Sequence, residues 1–397
     1  MNNCPLKKYA DYVSEKISTN QLNVSDYVTT DNILQNKQGI TLASSLPAQS
    51  GKVTKYRTGD ILLANIRPYL KKIWFSQKTG GCSADVLVFR AKENINPNFL
   101  YYALFRDDFF NHVMNGAKGT KMPRGDKTQI MEFSIPEFDK NIQNKIAQTL
   151  SCLDKKIELN NRINAELEAM AKTLYDYWFV QFDFPDSNGK PFKTSGGKMV
   201  YNPTLKREIP EGWSIKTLSQ IANITMGQSP EGESYNEKGN GTVFFQGSTD
   251  FGWLFPTTRQ YTTEPARMAK KGDIMLSVRA PVGDMNITKV DCCIGRGLAA
   301  LNSKTGSDGF LFYVMKYFKQ IFDRRNSAGT TFGSITKDDL HSLELVYPDS
   351  AILKKYDAIV SKHNQMIFQR SLENEQLVSL RDWLLPMLMN GQVTVNS

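Results

Sequence analysis

Apolar residues alternate at steps of four and three along residues 142–178, which is the a/d spacing of a coiled coil. As one helix, this stretch would span about 55 Å. The spacing therefore predicts a long helix with one apolar seam. The seam positions are Ile146, Leu150, Leu153, Ile157, Asn160, Asn164, Leu167, Ala171, Leu174 and Trp178.

A second seam follows without gaps 210 residues later. It is weaker, because His363, Arg370 and Arg381 occupy seam positions, and these residues leave open whether two helices pair along their whole length. We expect the helices to pair antiparallel; the alternative is two separate amphipathic helices, each covering its own domain. The residues expected to pair are Leu150, Leu153, Ile157, Asn160, Asn164 and Leu167 with Ile367, Asn374 and Leu377.

Shorter features also recur in the same order. The segment 58–68 returns as 271–281, each a Gly-Asp turn that enters an apolar strand. Phe99-Leu-Tyr-Tyr returns as Phe310-Leu-Phe-Tyr, and each opens an aromatic-rich helix. An internal repeat of this length indicates two homologous modules.

The repeat predicts a mixed α/β (α+β) chain with a pseudo-two-fold internal repeat. Its modules are 1–139 and 209–349, joined by two long antiparallel coiled-coil helices at 140–180 and 350–390. A segment dense in Gly, Pro, Ser, Asn and Lys, residues 181–208, is interpreted as the linker between the halves.

The chain has 397 residues and a net charge of +9. A basic chain is typical of proteins with a polyanionic partner. Residues 1–140 carry an excess of six positive charges, whereas residues 209–350 are neutral, so most of the excess lies in the first third of the chain. The sequence holds no apolar run long enough for a membrane span and no signal-peptide pattern at its start, so a cytoplasmic protein is expected. Five cysteines without a C-x-x-C pair predict reduced thiols and no structural zinc.

Catalytic motifs are absent from the sequence. Gly197-Lys198 is followed by Met199, so there is no phosphate-binding loop. Residues 295–300 fit a Gly-x-Gly-x-x-Ala pattern, but no acidic residue follows at the distance that a dinucleotide site needs. The three histidines are scattered, and the motif with which amino-methyltransferases hold a flipped base is missing. We expect no catalytic residue, metal or cofactor in this chain.

Two loops at equivalent places in the repeat have the composition of nucleic-acid contacts. Residues 115–127 combine glycines with four cations, and residues 324–337 replace most cations with hydroxyls. Such a difference within one frame suits two modules that read different base sequences, since phosphate contacts can be shared and base contacts cannot. The candidate DNA-binding residues are Arg67, Lys71, Lys72, Lys118, Thr120, Lys121, Arg124 and Lys127 in the first module and Gln246, Ser248, Arg279, Arg296, Thr330, Thr331, Ser334 and Lys337 in the second.

In this order of features the chain resembles the specificity subunits of type I restriction-modification enzymes. No single motif is specific, but the double order is, and it covers essentially the whole chain. The motifs that carry the resemblance are Gly59-Asp-Ile-Leu62, Gly272-Asp-Ile-Met275, Gly119-Thr120, Gly329-Thr330, Ser195–Tyr201 and Ile209-Pro-Glu-Gly-Trp213.

The resemblance implies a non-catalytic subunit whose two target-recognition domains each read half of a bipartite, asymmetric double-stranded DNA target. The paired helices would act as a ruler and dock methyltransferase subunits, two per chain, and through them nuclease/translocase subunits. S-adenosylmethionine, ATP and Mg²⁺ would belong to those partners. An enzyme with an unfamiliar active site and a coiled-coil scaffold are the alternatives. A scaffold predicts affinities that do not fall with salt, whereas DNA binding predicts that they do.

Overall fold

The structure, a computed structural model, describes residues 2–47, 51–327 and 334–394. The chain forms two compact units. The first unit comprises Met1–Asn161 and Ser371–Ser397, and the second comprises Arg162–Arg370. Each long helix therefore contributes residues to both units.

The helices of the described residues fall in the order that the repeat predicts, with a short and a long helix at the end of each module. Asp176–Val180 continues the first long helix as a π-helical turn. The helices are α1 Pro97–Phe105, α2 Asp107–Asn115, α3 Lys127–Ile130, α4 Lys140–Tyr175, α5 Leu218–Ile221, α6 Asp308–Ser327, α7 Lys337–His341 and α8 Ser350–Met389.

Ten strands belong to the described part of the first unit, in sheets of order β2-β9-β6-β7, β3-β5-β8-β4 and β1-β10. The strands are β1 Asn3–Pro5, β2 Ala10–Tyr12, β3 Lys16–Ser18, β4 Tyr27–Val28, β5 Lys52–Tyr56, β6 Ile61–Ala64, β7 Ile73–Phe75, β8 Gly80–Cys82, β9 Val86–Ala91 and β10 Ser134–Pro136.

The described strands of the second unit form sheets of order β14-β22-β19-β20, β15-β17-β16-β21-β18, β13-β23 and β11-β12. They are β11 Met199–Asn202, β12 Arg207–Pro210, β13 Ser214–Thr217, β14 Ala222–Met226, β15 Tyr235–Asn236, β16 Thr242–Phe245, β17 Gln260–Thr262, β18 Met268–Ala269, β19 Ile274–Ser277, β20 Met285–Ile287, β21 Cys292–Ile294, β22 Leu298–Ser303 and β23 Glu344–Tyr347.

The four-stranded sheets of the two units have the same strand order and the same register. Ile61 pairs with Phe89 in the first unit, and Ile274 pairs with Leu301 in the second. In both units the sheet packs against the aromatic-rich helix, α1 or α6, within a single apolar core. The internal repeat predicted from the sequence is confirmed.

The repeated Gly-Asp turn has a defined structural role. Gly59 and Gly272 adopt φ values of +89° and +94°, which residues with a Cβ avoid. The following carboxylates close the turn, because Asp60 accepts from the Arg57 amide and Asp273 from the Lys270 amide, both at 2.8 Å. Each apolar strand therefore leaves its turn at a fixed position.

In the first unit, α4 and α8 meet through polar groups at the centre of the predicted seam. The Asn160 amide donates to Asn374 Oδ1 at 2.9 Å and to Glu373 Oε2 at 2.8 Å, and Asn374 donates to Asn161 Oδ1 at 2.8 Å. Lys156 lies 3.4 Å from Glu373. Buried amides at such positions fix the register of paired helices.

In the second unit the same two helices pair through apolar side chains. Leu167, Ala171, Tyr356 and Ile367 belong to one buried core, and the Tyr356 hydroxyl donates to the Ala171 carbonyl at 3.2 Å. Rising numbers on α4 meet falling numbers on α8 in both units, so the pairing is antiparallel, as predicted. The alternative of two separate helices is wrong.

The predicted pairing residues differ in their burial. Asn160 and Asn164 are buried, and the Asn164 Oδ1 has no hydrogen-bond partner among the described residues. Leu150 is also buried, whereas Leu153, Ile157, Asn374 and Leu377 remain half-buried.

Arg381, a cation at a position of the second seam, is part of the pairing in the first unit. Its Nη1 donates to Asp154 Oδ1 at 2.9 Å, and its guanidinium lies 4.8 Å from the centre of the Phe105 ring. The Tyr102 hydroxyl donates to the other Asp154 oxygen at 2.6 Å. Two charges that complement each other explain why a cation is tolerated at this position.

The segment 181–208, interpreted as a linker, is folded as part of the second unit. Asp183 accepts from the Thr194 amide at 2.7 Å, and the Phe184 ring stacks 4.8 Å from Trp213. Glycine and proline mark tight turns in this segment. Burial of its aromatic side chains keeps the segment ordered between those turns. No helix of the described residues is long and apolar enough to cross a membrane.

Candidate nucleic-acid interface

Two loops of the first unit are joined by their backbones and carry most of its predicted contacts. We call residues 65–71 and 118–126 the first joined loops. The Arg67 amide donates to the Pro123 carbonyl at 2.8 Å. The second of these loops is closed on itself by Lys118 and Arg124, whose amides and carbonyls exchange two bonds of 2.9 Å. These backbone hydrogen bonds fix the conformation of the exposed loop tips.

The second unit repeats part of the backbone frame, by which we mean one backbone bond and one isolated β-bridge between the two loops. The Gly125 amide donates to the Asn65 carbonyl at 3.3 Å, and the equivalent Ile335 amide donates to the Val278 carbonyl at 2.9 Å. These positions are related by spacings of 210 and 213 residues, as in the sequence repeat. One backbone bond between equivalent loop positions is therefore common to both units.

Different side chains occupy the isolated β-bridge in this frame. Ile66 faces Arg124 in the first unit, whereas Arg279 faces Ser334 in the second. The arginine therefore lies on opposite strands of the bridge in the two units, while the backbone pairing is the same. Except for the half-buried Ile66, these side chains are exposed. A shared frame with exchanged polar groups is what readout of two different sequences requires.

A lysine occupies the same place after both loops. Lys127 begins α3 and Lys337 begins α7, and both side chains are exposed. Asp126 caps the first of these helices, and Thr336 caps the second. The two units therefore share both the position and the charge of this lysine.

Two of the predicted lysines contact other groups of the protein. Lys71 Nζ lies 3.0 Å from Asp107, which Lys37 also contacts, and these two lysines lower the pKa of the Asp107 carboxyl. Lys72 Nζ donates to the Thr30 carbonyl. Both ammonium groups have partners within the protein, and their contacts with DNA stay a prediction.

Two other cations of the first joined loops are partly neutralised. Lys118 lies 3.1 Å from Asp126, and Arg124 lies 3.0 Å from Asp85. Bonds from the Gln129 amide, then Lys118, then the Thr128 amide lower the pKa of the Asp126 carboxyl. Both cations remain more than half exposed, so a polyanion could compete for them.

The backbone at Arg67 is held in an unusual conformation. Arg67 and Lys71 have φ values of +52° and +50° and flank the 3₁₀ turn Pro68–Leu70. The left-handed region costs an ordinary residue about 1–2 kcal/mol. The bond from Arg67 to Pro123 and the ion pair of Lys71 supply compensation. Backbone strain of this kind clusters at binding surfaces.

In the second unit, a glycine-lined turn presents Gln246 and Arg296. A Cβ on Gly295 would lie 2.9 Å from both the Cα and the carbonyl oxygen of Gln246, so only glycine fits there. The Gln246 amide donates to Ser229 Oγ at 2.8 Å, and the Arg296 backbone amide points to the same oxygen at 3.4 Å. The Gln246 and Arg296 side chains are exposed, and these are the types that read adenine and guanine.

The remaining predicted residues lie near these features. Thr120 and Lys121 are exposed at the tip of the first joined loops, and Ser248 begins a 3₁₀ turn two residues after Gln246. Thr330 and Thr331, and with them the Gly329-Thr330 motif, lie outside the described residues.

Comparison with known proteins decides the family. The sequence model of the type I restriction modification DNA specificity domain matches residues 3–169 and again residues 210–371. The chain belongs to this family. It is a type I specificity subunit, the subunit that recognises the DNA target, and the two matches coincide with the two repeats.

Individual relatives support the assignment of a specificity subunit over nearly the full chain. One is the MjaX type I restriction enzyme specificity subunit of Methanocaldococcus jannaschii, 31% identical, with 87% of this chain and 81% of the relative covered. Another is the HindI specificity subunit of Haemophilus influenzae, 24% identical over 92% and 94% of the two chains. The fold is also that of the S subunit from M. genitalium, at a TM-score of 0.61, 18% identity and coverage of 98% and 96%.

Several residues of this specificity subunit's candidate surfaces were not predicted from the sequence. Ser229, which holds Gln246, lies in a polar loop that follows β14. Tyr69 and Met122 are exposed on the first joined loops. Only for Tyr69 was a sequence signal present, an aromatic residue beside Arg67 and the lysines. Among the described residues, no three His, Cys, Asp or Glu side chains form a group that could hold a metal ion.

Proposed function

We propose that each unit reads one half of a bipartite, asymmetric DNA target, with Arg67, Lys121, Arg124 and Lys127 contacting DNA in the first unit. In the second unit the proposed contacts are Gln246, Ser248, Arg279, Arg296, Ser334 and Lys337. Lys71, Lys72, Lys118, Thr120, Thr330 and Thr331 complete the proposal.

The observation that carries this proposal is the repeated backbone frame with exchanged side chains. Equivalent lysines, Lys127 and Lys337, are suited to phosphates, which are the same in every sequence. The bridge residues differ between the units, and Arg124 and Arg279 are suited to guanine edges. The same backbone frame thus allows both units to bind the phosphates in the same way while each reads a different base sequence.

The paired helices are the proposed ruler between the half-sites. Their antiparallel pairing is fixed by the amides of Asn160 and Asn374 and by the pair Asp154–Arg381. A register fixed in this way would keep the spacing between the two half-sites constant in every molecule. We further propose that methyltransferase subunits, two per chain, dock on the helices and bring nuclease/translocase subunits with them.

The chemistry of the complex is assigned to those partners. S-adenosylmethionine, ATP and Mg²⁺ are proposed to bind to the methyltransferase and nuclease/translocase subunits. This chain would contribute sequence recognition without a catalytic residue of its own. The proposal is supported by the relatives' names, which describe specificity subunits of restriction enzymes.

Salt dependence of DNA binding tests the division of roles. We expect Lys127→Gln and Lys337→Gln to weaken binding equally for all sequences and to reduce the slope of log K against log salt by about 1. Arg124→Ala and Arg279→Ala should each relax the sequence of one half-site only.

Lys198→Gln is the matched control, since Lys198 is an exposed lysine directly before β11 that is paired with Glu211, directly after β12. It should leave both affinity and slope unchanged. The proposal fails if the complex binds all duplexes equally, or if Arg124→Ala and Arg279→Ala alter the same half-site.

A further inference from the structure

Two large apolar side chains project from the first joined loops. Tyr69 and Met122 each retain 51% of their surface exposed to solvent. Tyr69 lies two residues after Arg67, and Met122 directly precedes Pro123. The Arg67 amide donates to the Pro123 carbonyl at 2.8 Å, so the backbone segments that carry the two side chains are hydrogen-bonded to each other.

The repeated frame does not require an exposed aromatic residue at this place. The position equivalent to Tyr69 in the second unit is Val282, at the spacing of 213 residues. Val282 is only 6% exposed and belongs to the core of its unit. The counterpart of Met122 lies outside the described residues. The first unit therefore turns outward a side chain that the second unit buries.

The surroundings of the two side chains indicate what they meet. Arg67, Lys121, Arg124 and Lys127 belong to the same loops and the helix that follows, and all are exposed. A partner must therefore offer negative charges with apolar surface between them. A DNA groove has this pattern, since the C5-methyl groups of thymines lie between the phosphate backbones.

We propose that Tyr69 and Met122 contact thymine methyl groups in the half-site read by the first unit. This inference rests on the proposed function and adds apolar base readout to it. The two residues contribute to sequence discrimination without adding charge. The two units then differ in chemistry, with apolar contacts in the first and amide and hydroxyl contacts from Gln246 and Ser248 in the second.

Replacing single thymines by uracil tests the proposal, because uracil lacks only the methyl group. The assay measures binding of synthetic duplexes by the full chain with its methyltransferase partner. We expect uracil at the contacted position to weaken wild-type binding about fourfold, equivalent to about 0.8 kcal/mol for one buried methyl group. In the Tyr69→Ala/Met122→Ala double variant, thymine and uracil duplexes should bind equally.

Further variants separate a contact from a structural effect. Tyr69→Phe and Met122→Leu keep apolar surface and should keep the preference for thymine. Tyr201→Ala removes an exposed tyrosine of the β11–β12 hairpin and should change nothing. The slope of log K against log salt should stay that of the wild type in every variant, since no cation is removed.

The inference is overturned if the wild type binds uracil duplexes as tightly as thymine duplexes at every position of that half-site. It is also overturned if the alanine variants lose affinity equally for both duplexes. Either result leaves the proposed function intact as long as a bipartite sequence is recognised. Absence of any sequence-specific binding by the wild type would refute the proposed function itself.

Discussion

The charge pair between the long helices allows a quantitative test of how the first unit holds them together. Arg381 retains 14% of its side-chain surface and Asp154 retains 30%. Arg381→Met keeps most of the stem volume but removes the bond to Asp154 and the contact with Phe105. A charge-assisted hydrogen bond contributes about 1.5–3 kcal/mol and a cation–π contact about 1 kcal/mol.

We therefore expect Arg381→Met to lower the free energy of unfolding of the first unit by about 3 kcal/mol. For a domain of this size, such a loss lowers the Tm by roughly 6–12 °C. Asp154→Asn should cost about 2 kcal/mol, because the Tyr102 hydroxyl keeps an acceptor. The double variant should lose little more free energy of unfolding than Arg381→Met alone. This corresponds to a coupling energy of about 2 kcal/mol between Asp154 and Arg381.

Urea denaturation measures these free energies, and hydrogen exchange followed by mass spectrometry assigns the loss to amides of the first unit. The exposed pair Lys7–Glu132, with 56% and 49% of its side-chain surface exposed, provides a control cycle. Its coupling energy should stay below about 0.5 kcal/mol. Costs of Arg381→Met and Asp154→Asn that add without coupling would refute the reasoning.

Three further predictions follow from other parts of the chain. Asp60→Asn should lower the free energy of unfolding by about 3 kcal/mol, because it leaves Arg90 without its buried carboxylate partner. Asp273→Asn should lower it by about 1 kcal/mol, because the side-chain partner of Asp273 is a neutral amide. Thermal denaturation compares the two variants. Cys4, Cys82, Cys292 and Cys293 are buried, and burial raises the pKa of Cys82 and Cys292 to about 12. A chromogenic disulfide should therefore titrate one thiol of the native chain, the exposed Cys152, and none after Cys152→Ser; a second reactive thiol would contradict this. Inserting seven residues into both α4 and α8 should lengthen the DNA spacer by about three base pairs, since a heptad adds about 10 Å, and leave both half-sites unchanged; an unaltered spacer in the methylation pattern would refute the ruler.

Much of the fold could be predicted because it repeats. The Gly-Asp turns, the strands that they open and the aromatic-rich helices recur at nearly constant spacing, so each copy supports the interpretation of the other. The long helices were also predictable, because their a/d seam persists through many turns. The folded segment 181–208 was not, since Asp183 and Trp213 order it through contacts that composition does not reveal.

The candidate surfaces were predictable only in part. Residue type and loop position pointed to Lys127, Lys337 and Arg279. Sequence could not show that Lys71 is paired with Asp107, because the partner lies on a different element and is brought near by the fold. Nor could it show that Tyr69 is exposed while Val282 at the equivalent position is buried.

The central claim is that this chain determines a bipartite DNA target through its two units. The most direct test is single-molecule sequencing of host DNA after co-expression of the chain with its methyltransferase partner. We expect a methylated motif of two short half-sites around an unread spacer, present only with this chain, and Arg279→Ala should change one half-site alone. Methylation that is the same with and without the chain, despite a stable complex, would contradict the account.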